Sequence, residues 1–578
     1  MEKILQPAVL MRWRPVLLVV AAFFTSSFSA AHVCQAMTVA EALDEIGYTR
    51  LVTLLGDSIP NGAGVAISQV ESSDSLGAYF PDENTSLFTA ATDPFSESVD
   101  FIDGSGGEAE GTTNHSTNIV GGNFYGNQSS LAGGANEVTV YEANDWLSNV
   151  LNLANNQEPL AQPFRVQNFS WVGSFPSDSQ DRKALRRFDY IIDTNEVTAV
   201  VGLGNDTESL PHLLSHSYNA LAVGRTDGTH STGVTQNFYG PGRIKPDLVV
   251  PRTTTSAATA MTSSAATLLH EWMADSAELI GTTGSVEIPG ARSEVMRALL
   301  LAGATKEEIA GGWSHTTTQP LDNHFGAGEL NIYNSYLMAL GGQFSGSFGE
   351  PSNAVGTHGW DYQEVTPGSD RFYNFEVPVG STAAELSVVL AWNVQVTDSN
   401  SGSTFLGSES LANLDLTLYN STDAFSDLLL DESLSTVDNV EHLYLTDLSP
   451  GTYTLQVSTQ SAHDYGLAWR LNTLFDVPSA DFNEDGLVGG GDFLTWQRNY
   501  RSLLDATHTL GDSDGDGDVD VDDLAAFQLA FGPPPVFSGP ISGIVSVPEP
   551  GAIILALLLA VGLWIWCRRL RTMRLLVR

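Results

Sequence analysis

Two acidic stretches near the end of the chain place oxygen donors where a divalent cation needs them. The first carries Asp481, Asn483, Asp485, Gly486, Leu487 and Asp492, and the second Asp512, Asp514, Asp516, Gly517, Asp518 and Asp523. In each, side-chain oxygens fall at positions 1, 3 and 5, glycine at 6 and a carboxylate at 12 of a calcium-loop spacing. Ca²⁺ is a hard cation that gathers about six to eight oxygens around one point, and the glycine permits the tight turn that brings them together. Position 7 adds a backbone carbonyl, from Leu487 and from Asp518. The loops start 31 residues apart, and a short apolar helix follows each, at 493–496 and 524–527. The chemistry expected of them is the binding of two Ca²⁺ per chain.

A second chemistry is carried by the order of short motifs in residues 37–340. Gly64-Val65-Ala66-Ile67-Ser68-Gln69 opens the series, followed by His115-Ser116-Thr117-Asn118-Ile119-Val120-Gly121 and Gln167-Asn168-Phe169-Ser170-Trp171. Then come Val201-Gly202-Leu203-Gly204-Asn205-Asp206, Lys245-Pro246-Asp247-Leu248 and Thr254-Thr255-Ser256-Ala257-Ala258. In that chain order they resemble a subtilisin-like serine peptidase of the S8 type. The family's H-G-T-H-V-A-G matches at His115, Thr117, Ile119 and Gly121. Its A-A-G-N matches at Gly204 and Asn205, its K-P-D throughout, and its G-T-S-M-A-A-P only in part. The resemblance implies Ser256 as nucleophile at a helix N-terminus and His115 as general base. It implies Asn205 as donor to the tetrahedral oxyanion. Ser170, Trp171, Gly202 and Gly204 would line a cleft where an extended peptide pairs as an added strand.

The departures from that pattern are chemical ones. Gln69 stands where the family has its aspartate and cannot balance a histidinium. Thr254 stands where the family has glycine, and Ala260 where it has proline. Side chains two apart in a strand share a face, so Glu71 lies on the face of Gln69, at the C-terminal strand end where open α/β sheets place their sites. Glu71 is therefore the candidate that orients His115. Asp100 and Asp103 are the alternatives, should Glu71 face solvent.

These residues must be held by an α/β framework. Apolar strands are expected at 64–70, at Tyr190-Ile191-Ile192 and at 199–202, and helices at 257–271 and 294–301, an alternation that argues a parallel sheet. From 341 to 477 the pattern changes to short alternating runs, at 372–377, 385–392, 414–419, 442–445, 451–457 and 465–469. They are separated by turns such as Pro450-Gly451 and read as an all-β sandwich. It is similar to the jelly-roll modules behind the catalytic domains of secreted bacterial proteases. His442 and His463 read there as ordinary surface or core residues. The segment 478–535 resembles a type I dockerin, a small α calcium module. That resemblance implies a cohesin-like partner; a solitary copy that staples its own chain is the alternative. The chain is thus expected to be multidomain, with an α/β parallel-sheet peptidase domain (37–340), a β-sandwich (341–477) and a dockerin-like module (478–535).

Both ends read as addresses. Lys3, Arg12 and Arg14 precede an apolar run and small residues through Ala36, the pattern of a signal peptide over 1–36. At 536–578 a linker leads to Val547-Pro548-Glu549-Pro550, an apolar run to Cys567, and Arg568, Arg569, Arg571, Arg574 and Arg578. This resembles a PEP-CTERM sorting signal, which implies export, transient membrane insertion of the helix and removal by an exosortase-type enzyme; a permanent anchor is the alternative. The two cysteines, Cys34 and Cys567, leave with these segments. The chain has 578 residues, room for two to four domains at roughly 100–200 residues each, and a net charge of −43. That charge excludes the basic footprint of a nucleic-acid-binding protein. The function read from the sequence is an exported cell-surface serine endopeptidase acting on protein or peptide substrates, with Ca²⁺ as cofactor. The alternative is a catalytically weakened or inactive relative that binds envelope or matrix components.

Overall fold

The computed structural model describes residues 37–89, 98–106, 111–279, 288–307, 309, 312–349, 354–398, 404–422, 428–475, 479–483 and 488–531. The signal-like segment 1–36, the sorting segment from 532 onward, and Asp485 and Leu487 of the first loop lie outside them. Among the described residues no helix is long and apolar enough to cross a membrane. The described residues up to Phe527 belong to one compact unit.

Seven parallel strands form the first sheet, in the order β2-β3-β1-β4-β5-β6-β9. They are β1 (Ile67–Glu71), β2 (Asp100–Asp103), β3 (Glu137–Glu142), β4 (Val166–Phe169), β5 (Thr198–Gly202), β6 (Leu221–Arg225) and β9 (Leu248–Val250), while β7 (Gly233–Val234) and β8 (Ile244–Lys245) make a separate hairpin. β1 lies between β3 and β4, in register Gln69–Val140 and Gln69–Asn168, and all five of its residues are buried. A parallel strand covered on both faces reads as a continuous apolar run in most proteins. Here Ser68, Gln69 and Glu71 interrupt it, which marks the place where the sheet does something besides packing.

The helices of this domain are α1 (Val39–Glu45), α2 (Tyr48–Leu55), α3 (Gly122–Phe124), α4 (Ala143–Asp145), α5 (Asp178–Asn195), α6 (Thr255–Leu279), α7 (Ser293–Gly303) and α8 (Ile332–Gly341). A π-helical segment, His115–Gly121, runs directly into α3. α6 is built from small residues and is buried on every side through its first four turns. Its hydroxyls are satisfied within the helix: Thr259 bonds the Thr255 carbonyl at 2.7 Å, Ser263 that of Thr259 at 3.0 Å, and Thr267 that of Ser263 at 2.8 Å. Back-bonding of this kind lets Ser and Thr enter a core without orphaned donors.

Tyr190-Ile191-Ile192 is helix, not strand. Leu185, Phe188, Ile191 and Ile192 recur at helical spacing and are buried, the last three in the core under β4 and β5. A three-residue apolar run cannot distinguish the two states, and the longer pattern decides it.

Beyond α8 the strands are antiparallel. One sheet has the order β10-β12-β19-β16-β17 and the other β11-β20-β13-β18. Their ranges are β10 (Ser347–Phe348), β11 (His358–Val365), β12 (Arg371–Val377), β13 (Ser381–Ala391), β16 (Leu414–Asn420), β17 (Leu428–Ser433), β18 (Val440–Leu445), β19 (Gly451–Thr459) and β20 (His463–Phe475), with β14 (Gln395–Thr397) and β15 (Ser408–Ser410) as a small pair. Tyr373, Phe375, Val388, Leu416, Leu455 and Trp469 fill the space between the sheets. His442 is buried, and His463 Nε2 meets the Asn393 carbonyl at 2.8 Å.

The sandwich has no boundary with the α/β domain in the hydrophobic sense. Trp360, Val389, Ala391, Val440 and Ala468 share one core with Val295–Ala302 of α7. Buried polar bonds cross as well: Arg470 Nε and Ser387 Oγ both donate to the Ala302 carbonyl at 3.0 Å. The backbones also approach closely at Gly466, where an added Cβ would stand 2.6 Å from the backbone of Glu294 and Val295. Gly466→Ala is therefore expected to lower stability by about 1–3 kcal/mol through overpacking. A urea melt of the full chain checks this, and unchanged stability would show that the seam yields.

Candidate active site

The C-terminal edge of the parallel sheet gathers the residues singled out in the sequence. Glu71 is the last residue of β1, fully buried, and its Oε2 lies 3.0 Å from His115 Nδ1. A carboxylate only accepts, so His115 Nδ1 donates and Nε2 carries the lone pair. Gln69, on the same strand face, is held by the same helical segment. Its Nε2 donates to the Ser116 carbonyl at 3.3 Å and its Oε1 accepts from Tyr125 OH at 2.6 Å. Asp103 instead accepts from Tyr79 OH at 2.9 Å, and Asp100 is exposed in β2.

Burial pushes the Glu71 carboxyl above its ordinary range, and His115 and the nearby Gln69 amide pull it back. The hydrogen bond from His115 to Glu71 raises the imidazole, with burial opposing and the Glu71 charge assisting. Among the described residues Glu71 Oε1 has no hydrogen-bond partner. The buried acid therefore has His115 as its main compensation, which makes the pair a unit.

Ser256 is the second residue of α6 and is 8% exposed. Its hydroxyl donates to the Ser170 carbonyl at 3.4 Å, and among the described residues no hydrogen bond joins it to His115. The turn that presents Ser256 is clamped from two sides. Asn205 Oδ1 accepts from Thr255 N at 2.8 Å, and Thr255 Oγ1 donates to the Leu203 carbonyl at 2.6 Å. Because the Thr255 N–H is a donor, the Asn205 atom facing it is the oxygen. The Nδ2 group of this exposed residue is then left to donate elsewhere. Thr254 accepts from Ala257 N at 3.2 Å, so the residue that replaces glycine caps α6.

Ser170 Oγ reaches Asn168 Oδ1 at 2.9 Å and the Ser256 carbonyl at 3.2 Å. Trp171 is buried in the core under β4 and β5, and the exposed neighbour is Val172. At Gly202 an added Cβ would come within 3.2 Å of Thr259 Oγ1. Gly204 N donates to Ser231 Oγ at 2.9 Å and its carbonyl accepts from Ser231 N at 3.0 Å. The Gly204 backbone is thus engaged by Ser231 rather than free to pair with a peptide. Ser231 and Tyr125 were invisible in the sequence, since neither sits in a motif; Thr254 was read only as a departure from glycine, although a threonine just before a helix is itself a cap signal. Lys245 and Asp247 form a buried ion pair at 2.7 Å, and Asp247 Oδ2 also accepts from Ala222 N at 2.6 Å, so this motif braces the sheet.

The acidic loops lie apart from this edge. α9 (Gly490–Asn499) follows the first and α10 (Val521–Phe531) the second. Asp512, Asp514 and Asp516 bring carboxylate oxygens within 4.8 Å of one another, and Asp518, Asp520 and Asp523 do the same. Gly517, at position 6, has φ +90°, the left-handed conformation that glycine adopts without a steric penalty. Asp523 accepts from Ser513 N at 2.6 Å and so closes position 12 onto the loop start. Burial and mutual repulsion push Asp512 and Asp516 to about 7 and Asp518 to about 8. Crowded carboxylates with this ring closure fit a hard divalent cation. In the first loop Asp492 accepts from Asn483 N at 3.0 Å and Gly489 N at 2.7 Å, with Asp481 beginning the loop.

No family model matches the chain, and no curated protein matches it. Among solved structures it is similar to the patellamide maturation protease PatA, at 17% identity over 48% of this chain and 98% of that one, with a TM-score of 0.31. The serine protease of Aeromonas sobria in complex with its chaperone is 12% identical over 72% of this chain and 89% of that one, with a TM-score of 0.30. The PatG macrocyclase in complex with peptide is 16% identical over 51% and 96%, with a TM-score of 0.33.

Proposed function

We propose that the chain is an exported serine endopeptidase that hydrolyses peptide bonds through an acyl-enzyme. The observation that carries this is the buried Glu71 carboxylate on His115 Nδ1, at the same sheet edge as a serine opening a helix. In this reading Ser256 Oγ leaves the Ser170 carbonyl and attacks the peptide carbonyl carbon, and its proton passes to His115 Nε2. Glu71 steadies the imidazolium. Asn205 Nδ2 donates to the oxyanion. His115 then protonates the leaving amine, and water, deprotonated by the same imidazole, releases the acid and restores Ser256. The start of α6 adds its dipole to the developing negative charge.

Ca²⁺ belongs to the same proposal as a structural cofactor, held by Asp512, Asp514, Asp516, the Asp518 carbonyl and Asp523, and by Asp481, Asn483, Asp485, the Leu487 carbonyl and Asp492. Export, a sorting enzyme of the exosortase type and a cohesin-like partner rest on the terminal and dockerin-like sequence patterns alone.

A fluorophosphonate probe tests the enzyme reading. Labelling of the full chain at Ser256, lost in Ser256→Ala and His115→Ala, is the expected result. A catalytically silent binding protein is the second reading, favoured by the Ser256 hydroxyl resting on Ser170, and a chain that folds but takes no label would establish it.

A further inference from the structure

The second acidic loop is not free in solution. Its Asp518 and Asp520 carboxylates reach Arg50 of α2, at 3.3 and 3.2 Å from Nη2. Tyr333 OH of α8 donates to the same Asp518 oxygen at 3.2 Å, and the Arg50 guanidinium lies 4.2 Å above the Tyr333 ring. Arg501 Nη2 donates to the Thr53 carbonyl at 3.2 Å, so α2 is gripped at two points. A cavity of about 260 Å³ runs along this seam, lined by Arg50, Leu54, Tyr333, Leu503, Asp518 and Asp520.

Asp518 and Asp520 also converge with Asp523, each of the three carboxylates bringing an oxygen within 4.8 Å of the others. Asp518 is only 5% exposed, and among the described residues its second oxygen, Oδ1, has no hydrogen-bond partner. One loop therefore answers to two cations: its Asp518 and Asp520 carboxylates hold a tethered guanidinium, while Asp512, Asp514, Asp516, the Asp518 carbonyl and Asp523 are spaced for a divalent ion.

We propose that Arg50 is a built-in competitor for the cation of the second loop, so that calcium binding and docking of the dockerin-like module onto α2 oppose each other. This rests on the reading of the loop as a calcium site. Positive charges held by adjoining oxygens of one loop repel, and Arg50 already neutralises part of the field that attracts the ion. Coupling between sites is reciprocal: if docking weakens the ion, the ion weakens docking by the same factor. Calcium then loosens the contact with α2 while it orders the loop. The face of the module around Asp518 and Asp520 is taken by its own chain until the ion arrives.

The test is a calcium titration by calorimetry on the full chain carrying Asp492→Ala, which silences the first loop. Arg50→Gln is expected to tighten binding at the second loop about five- to fifty-fold. Arg50→Lys, which keeps the charge, stays close to the parent. The gain shrinks at high salt, where exposed charges are screened. In the parent, calcium should speed proteolytic cleavage between the sandwich and the module, and Arg50→Gln should be cut quickly with or without it. Unchanged or weaker binding in Arg50→Gln overturns the competition while leaving the calcium site standing. The absence of calcium heat in both the parent and Arg50→Gln overturns the calcium reading and the competition with it.

Discussion

Glu71→Gln is expected to lower kcat by about 10⁴-fold, the scale seen when the acid of a triad loses its charge. The substitution keeps the shape of a fully buried side chain, so the fold has no reason to change. Its consequence is a proton in the wrong place. The new amide can donate where the carboxylate could only accept, so His115 Nδ1 becomes the acceptor and Nε2 holds the proton. The base is then lost. The pH profile separates this from a structural effect. Glu71 raises the imidazole, so His115 stays protonated to a higher pH than it would alone, and the acid limb of kcat/KM sits correspondingly high. In Glu71→Gln that support is gone while burial still lowers the imidazole, and the limb moves to lower pH. Residual activity within about a factor of two of the parent, with the limb unmoved, would return the role to another residue.

The second large effect is expected at Asn205. Its Oδ1 is committed to Thr255 N, which leaves Nδ2 as the donor for an oxyanion. Asn205→Ala is expected to cost about 10²–10³ in kcat with little change in KM, since the proposed bond would be made only in the transition state. Asn205→Asp separates the two jobs of this residue. It keeps an acceptor for Thr255 N, removes the donor and adds a negative charge beside the forming oxyanion. A loss at least as large as that of Asn205→Ala is expected. Near-normal turnover in Asn205→Asp would mean that Asn205 only braces the start of α6.

Much of the local structure was written in short-range patterns. The strands at 199–202 and 451–457 and the helices at 257–271 and 294–301 lie within β5, β19, α6 and α7. The strand at 451–457 shows the partial alternation of a one-sided strand, whereas 199–202, 257–271 and 294–301 are buried almost throughout and were legible as apolar or small-residue runs of strand or helix length. Tyr190–Ile192 escaped for the converse reason, that three apolar residues have no period. The alternation rule also placed Gln69 and Glu71 together. Both meet the helical segment that starts at His115, one through the Ser116 carbonyl and Tyr125, the other through the imidazole.

By itself, then, the sequence determined which residue types could do chemistry, and it put Glu71 at the end of a strand and Ser256 at the start of a helix. Motif order, the acidic loop spacing and strand alternation are local properties, and a chain states them without folding. The tertiary structure alone decided who pairs with whom. It put Glu71 within a hydrogen bond of His115, turned the Ser256 hydroxyl to Ser170, and ran one core through what composition divides at residue 340. It also laid Arg50 on carboxylates 468 and 470 positions away. Such contacts depend on loop closures and on packing against elements distant in sequence, and no window along the chain contains both partners.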